Sequence, residues 1–532
     1  MLCGKCPVRE KTVKKKLRVI TALLVAAMLL LSACGKSNPE GGESELPSGT
    51  DGASVPAAVT TIDVEKGHCF DYYWDNVSDR MAVYLEYPYM HLSGEDRKAY
   101  PKLEESVSQL MNERKEERLK IYEDAVDMFD EEIAYNPEYS EVYEVTEEVF
   151  VRRADTRVLS LVFAGFNYWG GAHGSPYTTG VVFDTETGEK LALADVVTDV
   201  KLLPDLVEEQ LENFFDTDYL YGDLNLQTYF DENLDTIRWV LDYNGITVFF
   251  NPYDIAPFAS GIFNVTITFA EHPELFKEKY RTVPESYGVE LPLENNFYYD
   301  VDGDGTQDSL FVSAYKGENE GNMPQIIRLN DLEYEEENGI FEIEPMFIHT
   351  ADGKNYLYIG QMYPNDIWVY SVYNVSNGAV KKIDTVDSER HHINDYAKDY
   401  YARQVLTNPQ SFVLDTFTNM LGTGYGYAEY HVGADGLPVN DNGWHIIEYQ
   451  VEFTMLRNVT VSLVSEAGKN IGKTTLKTGD KVTYYRTDNE SWADLKLSDG
   501  SIARVNVVCQ DGRRTVDGID IEKVFDGIEY AI

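Results

Sequence analysis

The chain has 532 residues and a formal charge of −46, from 91 acidic and 45 basic residues. An excess of that size repels nucleic acid and anionic lipid and attracts cations, from calcium to basic proteins; the plain alternative is that it only keeps the chain soluble. With 43% hydrophobic residues and 38 tyrosines the chain is too apolar and aromatic to stay unfolded, and its five cysteines are too few for a disulfide framework.

At the N-terminus, Lys11, Lys14, Lys15, Lys16 and Arg18 precede an apolar run from Val19 to Leu31, the order of an export signal. Thirteen helical residues reach about 20 Å, short of the roughly 30 Å hydrocarbon core of a bilayer, so a permanent membrane span is disfavoured. The run ends in Leu31-Ser32-Ala33-Cys34-Gly35, which resembles the lipobox of bacterial lipoproteins. That resemblance implies cleavage before Cys34, lipidation of its sulfur, and an extracytoplasmic protein anchored to the cell membrane, on a Gram-positive cell surface. Residues 1–33 hold seven basic residues and one acid, so the mature chain carries −52. Cys3 and Cys6 leave with the signal; Cys69 and Cys509 remain and are free to pair or not. Residues 34–66 begin with a stretch rich in Gly, Ser, Pro and Glu and form a flexible tether. About 470 residues follow the tether, enough for two to four hydrophobic cores.

Residues 67–282 are expected to form an α+β domain, an antiparallel sheet with helices on one side. Ala82 to Pro88 alternates as a strand does. Pro101 then opens a helical stretch through Leu103, Val107, Leu110, Leu119, Tyr122, Val126, Phe129 and Ile133, as one long helix or two in series. Strands follow at Val142 to Phe150, Arg157 to Phe166 and Thr179 to Asp184, then a helix from Pro204, and Thr236 to Phe250 with Phe263 to Phe269 complete the sheet. Gly170, Gly171 and Gly174 surround His173 in a loop suited to positive φ, flanked by Tyr168 and Trp169; it is either an exposed aromatic platform or a structural hairpin. Asn251-Pro252-Tyr253 and Ala256-Pro257 mark a tight corner.

Three stretches carry a resemblance: Tyr168-Trp169-Gly170-Gly171-Ala172-His173-Gly174, Phe183-Asp184 with Thr187 to Leu191, and Phe250 to Phe258 with Gly261. Together they resemble the extracellular domain of RsiV-type anti-sigma factors, also found ahead of the catalytic module in PdaC-type peptidoglycan deacetylases. The resemblance covers about a third of the chain. It implies an α+β domain working at the cell wall, with a lysozyme-like basic protein as partner and Tyr168, Trp169 and His173 as partner-binding residues. A lipobox stands where those anti-sigma factors have a membrane span, and no sigma-binding segment precedes it.

Residues 283–452 are expected to be mainly β. They open with Asp300-Val301-Asp302-Gly303-Asp304-Gly305-Thr306-Gln307-Asp308, which sets carboxylates at positions 1, 3, 5 and 9, a glycine at 6 and the Thr306 carbonyl at 7. Hard cations take such a ring of oxygens, so Asp300, Asp302, Asp304, Thr306 and Asp308 are candidate Ca2+ ligands, the bland alternative being a solvated acidic turn. Position 12 is Phe311 and a strand follows, so the loop resembles those of integrin-type propeller blades more than an EF-hand. Residues 453–532, with Thr478-Gly479-Asp480-Lys481-Val482, Trp492 to Leu497 and Ser498-Asp499-Gly500, resemble a bacterial SH3-like barrel, which implies wall-peptide binding.

No His-x-x-x-His, His-Glu-x-x-His or Gly-x-Ser-x-Gly occurs, so the expectation is a non-enzymatic binding module at the cell wall, for a lysozyme-like protein or peptidoglycan. The alternative is a surface scaffold or envelope-stress sensor component, and a hydrolase or deacetylase accessory ranks behind both.

Overall fold

The computed structural model describes residues 58–75, 79–314, 324–336, 342–363, 367–390, 392–395, 400–449 and 451–530. The export signal, Cys34 and most of the tether lie outside the described residues. Val59–Ile532 is one compact unit, and no described helix is long and apolar enough to cross a membrane.

The first sheet begins with the hairpin β1 (Val64–Asp75) and β2 (Arg80–Leu92), paired from Val64↔Leu92 to Asp75↔Arg80. A short helix, α1 (Gly94–Ala99), leads to α2 (Pro101–Tyr135). Thirty-five residues stay in one helix because Pro101 sits at its start, where no amide partner is lost, and no Gly or Pro interrupts it. Its early apolar residues Leu103, Val107 and Met111 pack with Leu161, Phe163 and Val181, and its later Ala125 and Phe129 with Leu85, Tyr143 and Val145. Because α2 carries the chain back along the sheet, β3 (Tyr143–Ala154) pairs parallel to β2, and β4 (Val158–Tyr168) and β5 (Ser175–Asp184) follow antiparallel. The sheet is therefore mixed rather than antiparallel throughout. Beyond β1 it is extended by the distant hairpin His392–Asp395 and Tyr400–Gln404, with Glu65 opposite Gln404.

The strands expected to complete this sheet build a separate one. β6 (Arg238–Leu241), β7 (Gly245–Phe250) and β8 (Phe263–Thr268) form a three-stranded meander. Its core takes in helices Leu203–Phe214 and Leu226–Asn233, with Val207, Leu211 and Phe230 against Ile246, Val248 and Val265. The meander is tied to the first sheet by buried polar contacts: Asp242 accepts from Arg152 Nε at 2.9 Å and Nη2 at 3.0 Å, and Ser160 Oγ accepts from the Leu241 amide at 3.0 Å. Gly180 admits this approach, since a Cβ there would lie 2.0 Å from the Trp239 carbonyl.

The described residues of the middle region form strands and no helix, in line with a mainly β region. β9 (Tyr287–Glu290) joins β14 (Glu342–His349), β15 (Asn355–Tyr363), β16 (Ile367–Asn374) and β17 (Lys381–Val386) in a five-stranded sheet. Between them in sequence, β10 (Asn296–Tyr299), β11 (Asp308–Ala314), β12 (Gln325–Leu329) and β13 (Leu332–Glu336) form a four-stranded meander. The sequence boundary at residue 282 does not separate cores, because Ile62, Val107 and Phe163 share one with Met346, Tyr358, Leu406 and Phe412.

The C-terminal strands do not stand alone either. Val459–Val464, Asn470–Leu476, Lys481–Thr487, Trp492–Lys496 and Ile502–Asn506 belong to a twelve-stranded sheet that continues through His445–Ile447 to Gly424–Val432 and Phe412–Thr418. His445 opposite Thr487 makes the join. Among the described residues no sheet closes into a barrel. Cys69 and Cys509 form no disulfide with each other.

Candidate binding corner and acidic loop

Two of the sequence motifs, eighty residues apart, meet in space. The link from β4 to β5 runs Tyr168 to Gly174, with Gly170 at φ 79° and Gly171 at φ 98°. A Cβ on Gly170 would strike the Tyr139 hydroxyl, and one on Gly174 would strike the Phe166 ring, so Gly170 is required by close approach as well as by conformation and Gly174, which lacks the positive φ expected of it, by close approach alone. The second motif leaves β7 at Asn251 and returns at β8. Asn251 clamps the two together: its Oδ1 accepts from the Thr178 amide at 2.8 Å and its Nδ2 donates to the Thr178 carbonyl at 3.2 Å. Asp254 holds the loop closed, accepting from the Asn251 amide at 2.7 Å and from Arg238 at 2.6 Å.

At the rim of this corner His173 stacks on Phe258, centroids 3.8 Å apart and planes 23° apart. Its Nδ1 lies 3.0 Å from the Gly174 carbonyl, which places the proton on Nδ1. Tyr253 packs beside Phe258 at 5.8 Å and is 61% exposed, on a backbone with φ 74°, a region that non-glycine residues occupy at a cost. Tyr168 donates to Glu141 at 3.0 Å and to the Gly171 carbonyl at 3.1 Å; the bond to Glu141 raises its pKa by favouring the protonated phenol.

Of the three expected partner-binding residues, Tyr168 is half-buried and His173 exposed. Trp169 turns away from both: it packs edge-on to Tyr143, 6.5 Å off, in the cluster that holds the end of α2. Tyr253 and Phe258 take its place beside His173. Their motif was visible in the sequence as a tight corner, but only the fold brings its rings to His173.

The acidic loop stands between β10 and β11. Asp300, Asp302 and Asp304 each turn one carboxylate oxygen into a group whose members lie within 4.8 Å of one another. The loop is shaped around Asp300, which accepts amide hydrogens from Gly303 at 2.8 Å, Asp304 at 3.0 Å and Gly305 at 3.0 Å. Gly303 and Gly305 have φ of 77° and 90°, so the sharp turn expected at position 6 is present. Asp308 stands outside the group: it is buried and accepts from the Val301 amide at 2.9 Å and from Asn330 Nδ2 at 2.6 Å. Thr306 donates its amide to Asp304 at 2.8 Å. Gln307 anchors the loop, donating to Glu271 at 2.9 Å and to the Thr266 carbonyl at 3.2 Å. Three carboxylates at this separation could hold a divalent cation, and Asp308 braces the loop from outside their group.

Comparison with known proteins bears on the region that carries the second motif. Residues 195–270 match the family described as a protein of unknown function, DUF3298. No curated protein matches the chain. Among solved structures, a DUF3298 family member from Bacteroides fragilis NCTC 9343 aligns at 21% identity and a TM-score of 0.32, over 41% of this chain and 94% of that one. A DUF3298 family protein from Pseudomonas aeruginosa PAO1 aligns at 14% identity and a TM-score of 0.30, over 42% of this chain and 98% of that one. The helices Leu203–Phe214 and Leu226–Asn233, the meander β6 to β8 and the Asn251 to Gly261 loop thus lie within a stretch similar to DUF3298 proteins.

Proposed function

We propose that this protein is a non-enzymatic binding module of the cell envelope, held on the membrane by lipid on Cys34, whose motif-built corner takes a basic wall-active protein of the lysozyme kind. The observation that carries the reading is the His173 on Phe258 stack, which draws residues from both motifs to an exposed rim beside Tyr253. Rings held rigid by a clamp such as Asn251 to Thr178 lose little freedom on binding and supply contact area that salt does not screen. The mature charge of −52 adds long-range attraction for a basic partner. On this reading the acidic loop binds calcium through Asp300, Asp302 and Asp304 and stiffens the β10 to β11 connection, and the C-terminal strands, although they close no barrel, serve as a second wall contact.

The test is a titration of the mature protein with lysozyme at about 0.15 M salt, where surface charges beyond roughly 8 Å are screened. Phe258→Ala and Tyr253→Ala leave the net charge unchanged and should each weaken binding about tenfold or more, while an unrelated protein of equal positive charge should bind far less tightly than lysozyme. Equal binding by that control, or retention on insoluble peptidoglycan with no affinity for lysozyme, overturns the assignment of the partner.

A further inference from the structure

β1 carries a second feature that the corner does not use. His68, Phe70, Tyr72 and Trp74 alternate along it, and alternate residues of a strand share a face. Phe70 and Tyr72 are each 45% exposed and Trp74 is 43% exposed. Their neighbours show that this is not for want of a core: Tyr73 points to the other face and packs edge-on to Phe129 beneath α2 at 6.5 Å. The outward rings touch one another, with His68 to Phe70 and Tyr72 to Trp74 each at 6.5 Å. Between Phe70 and Trp74, β1 pairs with β2 alone among the described residues.

The strand register continues this face across the sheet. Tyr72 stands opposite Tyr84, Tyr84 beside Glu144, and Glu144 opposite Tyr168, so four strands present one row that ends at the corner. Phe70 stands opposite Glu86. Among the described residues Glu144 and Glu148 form no ion pair, Glu86 meets His68 at 3.7 Å, and two cations of this face are already engaged, Lys66 with Glu290 at 2.9 Å and Arg403 with Glu344 at 3.0 Å. The carboxylates here crowd one another: desolvation first, and then Glu86, Glu342 and Glu344, push Glu148 up to about 7 against the opposing charge of Lys66. Exposed rings beside Glu144 and Glu148 suit a flexible apolar stem ending in a positive charge. A neutral glycan could donate hydrogen bonds to the carboxylates but would leave their charge unneutralised, and an anionic membrane or a second copy of this acidic chain is repelled.

We propose that the outward face of β1, with Tyr84, Glu86, Glu144 and Glu148, docks a cationic polypeptide segment whose Lys and Arg side chains lie across Phe70, Tyr72 and Trp74 and reach those carboxylates. This rests on the binding-module reading in sharing the face that bears Tyr168, and it assigns that face a separate contact.

The probe is a fluorescein-labelled decalysine peptide, its anisotropy followed on titration with the mature protein at about 0.15 M salt. Phe70→Ala, Tyr72→Ala and Trp74→Ala combined should weaken binding about tenfold with the charge unchanged, Glu144→Gln with Glu148→Gln should weaken it to a similar degree, and Tyr219→Ala, an exposed tyrosine elsewhere, should do nothing. In the unaltered protein the peptide should slow amide exchange in residues 68–75, a readout independent of any variant's folding. Equal affinity in the triple variant, no binding at that salt, or protection of 68–75 by a neutral chitooligosaccharide and not by the peptide overturns the proposal. The two readings fail separately. If lysozyme binds through His173 and Phe258 while decalysine ignores the β1 rings, this face is wrong and the corner stands. If lysozyme does not bind but decalysine still requires the rings, the partner assigned to the corner is wrong and this face stands.

Discussion

Replacing Asp242 tests how the corner is held in place. Its carboxylate takes two hydrogen bonds from Arg152, at 2.9 and 3.0 Å, and one from the Thr247 hydroxyl, and the side chains of the pair are each 2% exposed. Asp242→Ala leaves the Arg152 guanidinium buried over the Phe297 ring at 5.1 Å with no counter-charge. Breaking one side of such a pair costs about 3–5 kcal/mol, roughly a fifth or more of the 5–15 kcal/mol that stabilises an ordinary domain. Because β7 runs directly into Asn251, loosening the joint between the sheets also loosens the motif corner. Denaturant unfolding should show the loss as a lowered midpoint. Arg152→Met combined with Asp242→Leu should recover most of it, since the cost lies in the orphaned charge and not in the missing attraction. A loss under about 1 kcal/mol in Asp242→Ala, or a double variant no better than the single one, would refute the reasoning.

Asp63 gives a pH dependence. Burial, then the neighbouring Asp96, push its pKa up from 3.8 to about 6 against an opposing hydrogen bond from Thr407. A carboxyl raised on folding adds stability at acid pH that is lost as the pH climbs from about 4 through 6, so Asp63→Asn should flatten that fall and gain roughly 1–3 kcal/mol at pH 7, read from melting temperature against pH. Calcium at a hundredfold excess over its dissociation constant should stabilise the protein by about 2.7 kcal/mol. Asp300→Asn should abolish that shift and Asp308→Asn should leave it, since Asp308 braces the loop from behind; a melting temperature indifferent to calcium and chelator contradicts the site. Cys34→Ala should move the exported protein from the membrane fraction to the soluble one, because one sulfur carries both acyl chains; retention in the membrane after cleavage argues against lipidation.

Local chemistry made much of this fold legible. Pro101 and the spacing of Leu103, Val107 and Phe129 gave α2, and the glycines at 170, 171 and 305 have the positive φ expected of their loops, while Gly174 does not. What could not be read was which strands pair across long stretches of chain. Thr236 to Phe250 has the same alternation whether it extends the first sheet or builds a second, and only the Gly180 approach and the Arg152 to Asp242 pair decide it. Glu65 opposite Gln404 and His445 opposite Thr487 join regions that look separable in sequence. The same limit applies at the site. Trp169 follows Tyr168 in the motif, yet its ring packs half-buried against the cluster at the end of α2 and not beside His173. Asp308 fits a ligand spacing, but a buried acceptor was needed for the Val301 amide and Asn330.

Hydrogen exchange on the mature protein with and without lysozyme, at about 0.15 M salt, tests the central claim most directly. The account predicts slowed exchange in residues 168–178 and 251–261, the two loops joined by Asn251 and by the His173 stack, with no such change on adding a basic protein of equal charge. Protection that falls elsewhere, or that the control protein reproduces, would contradict it.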